Sequence, residues 1–184
     1  MKRFFSLMLV LMLALSITAC GSKEKSSGSA AADAKTESNA AEGADSAALT
    51  VEEYLKEVES LNDAGTSLMT AAQEANEIML NPDATTEEMQ AAIEAVRATK
   101  EGFLAVAAID NPPADYETAH ADLAASCNSV AAVLDEYADV ILSGLDENVD
   151  EAAFDEAFNA VMVKYEAEFT ALANNMAAVQ AIGK

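Results

Sequence analysis

The chain has 184 residues and carries 32 acidic side chains against 10 Lys and Arg, a formal charge of −22. So acidic a surface excludes nucleic-acid binding, because a phosphate backbone needs a basic face, and it opposes lying flat on an anionic bilayer. The chain has a single histidine, His120, which limits any histidine-based metal or catalytic centre.

The first residues read "MKRFFSLMLVLMLALSITAC". Lys2 and Arg3 form a positive n-region, and Phe4 to Ile17 an apolar h-region of signal-peptide length, too short for a comfortable membrane span. The small-residue pair before Cys20 resembles the lipobox of bacterial lipoproteins. That resemblance covers about the first two dozen residues. It implies cleavage before Cys20, a diacylglycerol joined to the Cys20 thiol, and anchoring at the extracytoplasmic face of the cell membrane. The segment 1–19 is therefore expected to be a lipoprotein signal peptide, and the protein to be anchored to the membrane without spanning it.

Residues 20–49 follow as a tether. Ser, Ala, Gly, Lys and Glu dominate, and no large apolar residue stands between Cys20 and Leu49. Such a segment cannot bury enough surface to offset its ordering entropy. As a flexible coil it would reach about 30 Å. With Cys20 lipidated, Cys127 is left alone, and the domain 50–184 must hold itself by packing. Five Lys and Arg against 27 acids give that domain a charge of −22. Solvation of the surface is the plain reading of this acidity; attraction for divalent cations or cationic peptides is the functional one.

Four helices are read in residues 50–184. Thr50 is a good N-cap, with Glu52 and Glu53 in the first turn. Val51, Tyr54, Val58, Leu61, Gly65, Leu68, Ala72, Ala75 and Met79 then recur at bundle spacing, until "NPD" after Leu80. Thr85 and Glu88 have capping-box spacing and open a second helix with Met89, Ile93, Val96, Phe103 and Ala107 on its stripe, Lys100 interrupting. The third begins near Pro113 and carries Tyr116, His120, Leu123, Cys127, Val130, Leu134, Tyr137 and Ile141, with Gly144 as its C-terminal cap. Asn148 and Glu151, again at capping-box distance, open a fourth with Phe154, Phe158, Val161, Tyr165, Phe169, Leu172, Met176 and Val179. No segment alternates as a half-buried strand does. Short connections make neighbours antiparallel, so the expected fold is an all-α, up-down-up-down four-helix bundle.

His120 stands three residues after Glu117, in "NPPADYETAHADL". Glu-x-x-His occurs in di-iron bundles, but those need two such motifs and two further glutamates. Here the motif occurs once, and Glu117 falls off the stripe shared by Tyr116 and His120. His120 and Cys127 are seven residues apart, about 10 Å along a helix, too far to share a metal easily. No metal site and no cofactor beyond the Cys20 lipid is therefore expected. The plain reading of His120 is a partly buried side chain hydrogen-bonded to a neighbouring helix or to the "DNPP" loop. The alternative is a ligand pocket for a metal, haem or small apolar molecule near His120, Tyr116 and Cys127. Cys127 reads as a small buried hydrophobe. No nucleophile motif, phosphate loop or paired-cysteine signature occurs, so no catalytic residue is expected and the protein is read as a non-enzyme.

A lipobox, a low-complexity tether and an acidic helical domain containing "NPPADYETAHADL" together resemble the small helical lipoproteins of Gram-positive bacterial surfaces. The resemblance brings no catalytic residues. It implies a membrane-anchored interaction domain facing an envelope or extracellular protein partner. A two-lobed solute receptor is excluded by length and by the lack of alternating strands and helices.

Overall fold

The computed structural model describes residues 48–183. The signal-like segment 1–19, Cys20 and the tether up to residue 47 lie outside the described residues. Those described form an all-α helical bundle without strands.

Helix α1 (Val51–Leu80) and helix α2 (Thr86–Ala98) each start with a reciprocal cap. The Thr50 hydroxyl accepts the Glu53 N–H at 3.2 Å, and the Glu53 carboxylate accepts the Thr50 N–H at 3.0 Å. Thr85 and Glu88 repeat the arrangement at 3.2 and 2.7 Å. Each cap satisfies amides that a helix start leaves without partners. The hydrogen bonds from Thr50 and Thr85 hold the Glu53 and Glu88 carboxyls below the usual glutamate range.

The second predicted helix is in fact two segments, α2 and α3 (Lys100–Ala107), parted at Thr99. The Thr99 hydroxyl and the Thr99 N–H both donate to the Val96 carbonyl, at 2.7 and 3.2 Å. This tightens the turn from the α pattern to a three-residue step. Lys100, which interrupts the apolar stripe, turns to helix α4 (Glu117–Ser143) and meets Asp135 at 2.7 and 2.8 Å. Arg97, one turn earlier, pairs with Asp139. A 3₁₀ turn, Ala114–Tyr116, leads into α4. Gly144 ends it in a right-handed conformation, φ −70°, with its N–H donated to the Val140 and Ile141 carbonyls.

Helix α5 (Glu151–Ala181) is capped by Asp150, contrary to the expectation of Asn148. The Asp150 carboxylate accepts the Ala152 and Ala153 N–H groups at 3.0 and 3.2 Å. Asn148 instead folds back on the Asp146 carboxylate at 2.8 Å. A carboxylate at a helix start gains from the dipole as well as from the two bonds, so Asp150 outcompetes the neutral amide.

The helices pair in opposite senses. Gly102 packs on Ala64, and the Leu49 N–H meets the Asn111 carbonyl at 2.9 Å. Along α4, Asp139 faces Arg97 while His120 faces Ile109. On α5, Lys164 reaches Glu136 at 2.6 Å, and the Asn175 amide donates to the Ser126 hydroxyl at 2.7 Å. The start of α1, the end of α3, the start of α4 and the end of α5 thus gather at one end of the bundle. Tyr54, Leu68, Ile93, Phe103, Leu123, Leu134, Tyr137 and Tyr165 are fully buried and form the centre. Each buried aliphatic or aromatic side chain contributes about 1.5–3 kcal/mol.

Candidate functional site

The one histidine sits where the helix ends meet. His120 is on the first turn of α4, 7% exposed, whereas Glu117 one turn before it is exposed. The Glu-x-x-His pair therefore does not face a common centre. The His120 Nε2 lies 3.0 Å from the Ile109 carbonyl oxygen, and Nδ1 lies 3.3 Å from the Tyr54 hydroxyl. A carbonyl only accepts, so Nε2 carries the proton and donates it. Nδ1 then accepts from Tyr54. In this arrangement both ring nitrogens are engaged, and a metal at Nδ1 would have to displace a tyrosine from a buried position.

The aromatic rings around His120 reinforce the junction. Tyr54 meets the His120 ring edge-on at 5.5 Å and the Tyr116 ring at 5.1 Å. The Tyr116 hydroxyl donates to the Ile182 carbonyl at 3.0 Å, which fastens the end of α5. Burial, and then the neighbouring Tyr116, push the Tyr54 phenol up to about 12. Four backbone segments are tied through three side chains, and the arrangement can hold the bundle end closed. It presents no exposed acid, base or nucleophile.

Of the three residues named as a candidate pocket, Tyr116 and His120 share this cluster through Tyr54. Cys127 does not join it. It lies two turns further along α4, fully buried and unpaired. Desolvation pushes its thiol up to about 12, so it holds its proton at neutral pH and is a poor nucleophile. Among the described residues, no group of three or more His, Cys, Asp or Glu side chains is placed to hold a metal ion.

Tyr54 and the Ile109 carbonyl were not singled out as partners from the sequence. Tyr54 was legible only as a stripe position, and a backbone carbonyl leaves no residue signal. A second feature leaves no sequence signal either: the Tyr137 and Tyr165 hydroxyls, buried between α4 and α5, have no hydrogen-bond partner among the described residues. Burial raises both phenols far above the tyrosine range, and the two hydroxyls are close enough for Tyr137 to raise Tyr165 further. No described helix is long and apolar enough to cross a membrane. Comparison of the chain with protein-family models, with curated proteins and with solved structures finds no match to any of them.

Proposed function

We propose that the chain is a lipid-anchored protein of the extracytoplasmic membrane face, whose helical bundle binds another protein and catalyses no reaction. One observation carries this reading: a positive n-region, an apolar h-region, small residues and Cys20 fall in lipobox order ahead of a low-complexity segment and an acidic domain. The state of the chemically able side chains supports the non-enzymatic half. His120 has both nitrogens engaged in holding the bundle end, and the Cys127 thiol is buried and protonated. Gram-positive surface lipoproteins are the class this arrangement resembles, and an envelope or extracellular protein is the partner class.

Labelling of cells expressing the full chain with an alkyne fatty acid tests the anchor. The chain should take up label and sediment with membranes. Cys20→Ser should lose the label and leave the membrane fraction. A Cys20→Ser chain that sediments as before, or a native chain that takes up no label, refutes the anchor reading.

A further inference from the structure

The packing of the bundle is uneven. Close backbone pairing links α1 to α2 and α3, those two to α4, and α4 to α5, but scarcely links α1 to α5. Helical spacing places Val51, Met69 and Leu80 on the flank of α1 turned away from α2 and α3, toward α5. They are 45%, 42% and 39% exposed, three of the four exposed large apolar side chains among the described residues. Gly65 lies on the same flank, and a Cβ built there meets nothing within 4 Å. On α5, Met162, Phe169 and Met176 recur every seven residues on the flank opposite the one that meets α4, and each is only partly buried. Phe169 reaches inward to Phe103 of α3, edge-on at 5.9 Å. The α1–α5 seam is thus an apolar strip, continuous along α5 and broken on α1 by Asn62 and Asn76 between Val51, Met69 and Leu80, with an aromatic floor and three methionines, side chains that adapt to varied apolar partners.

The borders of this strip carry one sign of charge. Glu59 and Glu77 flank it on α1, and Asp155 and Glu166 on α5, all exposed. The nearest cation of α5, Lys164, is on the other flank, engaged with Glu136. This combination selects the occupant. A second copy of the domain brings another −22 and would be repelled. Residues 21–47 of this chain hold three Lys against five acids and no large apolar side chain, so they match neither floor nor border. A cationic amphipathic helix matches both: its apolar face lies on the strip and its Lys and Arg meet the acids, the helix-in-groove mode of recognition.

We propose that the α1–α5 face binds a cationic amphipathic helix of a partner protein. The proposal rests on the interaction-domain reading above and names its surface and partner chemistry. The test is fluorescence anisotropy with the full chain and a labelled 18-residue Leu/Lys peptide, long enough at about 27 Å to lie along the strip. A scrambled peptide of the same composition and a Leu/Glu analogue serve as controls. The helical Leu/Lys peptide should bind, and the other two much more weakly. Met69→Gln should weaken binding about tenfold, and so should Glu59→Lys combined with Glu166→Lys. Val163→Gln, at an exposed position on the far side of α5, should leave binding unchanged. Circular dichroism of each variant confirms that the helices persist. Equal binding of the scrambled peptide, indifference to Met69→Gln, or no binding at all overturns the proposal. So does a dimer of the chain alone that Met69→Gln dissociates, which would assign the face to a second copy. Fatty-acid labelling at Cys20 is independent of every one of these results, so the failure of either idea is seen separately.

Discussion

Two glycines in this bundle should respond to one substitution with opposite signs. Gly65 and Gly102 both lie inside helices, and in each place alanine removes backbone freedom from the unfolded chain, a gain of about 0.5–1 kcal/mol. At Gly65 the new methyl meets nothing within 4 Å, so the gain should stand. At Gly102 the methyl would lie 2.8 Å from the Ala64 Cβ and 3.3 Å from its Cα. Ordinary carbon contacts are about 3.5–4.0 Å, so α1 and α3 must separate by about 1 Å. Both contacting atoms are fixed to backbone and cannot swing aside. Overpacking of this kind costs about 1–3 kcal/mol, which outweighs the helix gain. The two variants should differ by about 2 kcal/mol. With a urea dependence of about 2 kcal/mol per molar for a domain of this size, their unfolding midpoints should lie about 1 M apart on either side of the native chain. Adding Ala64→Gly to Gly102→Ala should recover much of the loss, since it removes the opposing methyl. Shifts of the same sign for both single variants would refute the close approach of α1 and α3 at Gly102.

Other outcomes follow from the polar groups in the core. Tyr54→Phe keeps the ring packing but leaves the buried Nδ1 of His120 without its donor, so urea unfolding should show a loss of about 1–3 kcal/mol; an unchanged midpoint would remove the Tyr54–His120 bond from the account. Tyr165→Phe removes a buried hydroxyl that has no partner among the described residues and should be neutral or stabilising; a loss above about 1 kcal/mol would mean that the hydroxyl is bonded. Burial raises the Cys127 thiol from 9.0 to about 12 and the Tyr54 phenol from 10.0 to about 12. A group whose folded value is raised adds stability below its unfolded value and loses it as pH climbs toward the folded one. Thermal unfolding should therefore weaken progressively from pH 9 toward pH 12, and Cys127→Ala should remove part of that slope. In neutral buffer Cys127 should react with a maleimide only after urea is added; rapid native labelling would contradict its burial.

Much of the fold was legible because apolar spacing and caps are local. Thr50–Glu53 and Thr85–Glu88 are near in sequence, and their caps form as the spacing indicates. Asn148–Glu151 has the same spacing and fails, because Asp150 offers a charged acceptor closer to the helix start. The step at Thr99 was masked by a stripe that continues through it to Phe103 and Ala107. Burial of His120 could be read from its stripe, but its partners Tyr54 and Ile109 lie 66 and 11 residues away, and their meeting depends on how the helices register. The α1–α5 strip was hidden for a related reason. The apolar positions of α1 cover more than one seam, so Val51 and Gly65 fall on one stripe with Tyr54, Leu61 and Leu68. Only the packing shows that Tyr54, Leu61 and Leu68 are buried while Val51 is exposed and Gly65 faces open space.

Salt can separate the two contributions that the α1–α5 face would make to binding. The bordering acids are exposed, so their attraction for a cationic helix acts through water and falls once the Debye length is shorter than the gap, about 10 Å at 0.1 M salt and 3 Å at 1 M. Burial of Met69, Phe169 and the neighbouring methionines does not depend on screening. Binding of the Leu/Lys peptide should therefore weaken steeply between low and physiological ionic strength and then level off, with the plateau set by the apolar strip. Steering by charge acts mainly on the association rate and the apolar contact mainly on dissociation. Glu59→Lys with Glu166→Lys should accordingly flatten the salt dependence and slow association, while Met69→Gln should speed dissociation and leave the slope alone. A Met69→Gln chain with a changed salt slope and an unchanged dissociation rate would show that the peptide is held by the acidic surface as a whole, with no seat between α1 and α5.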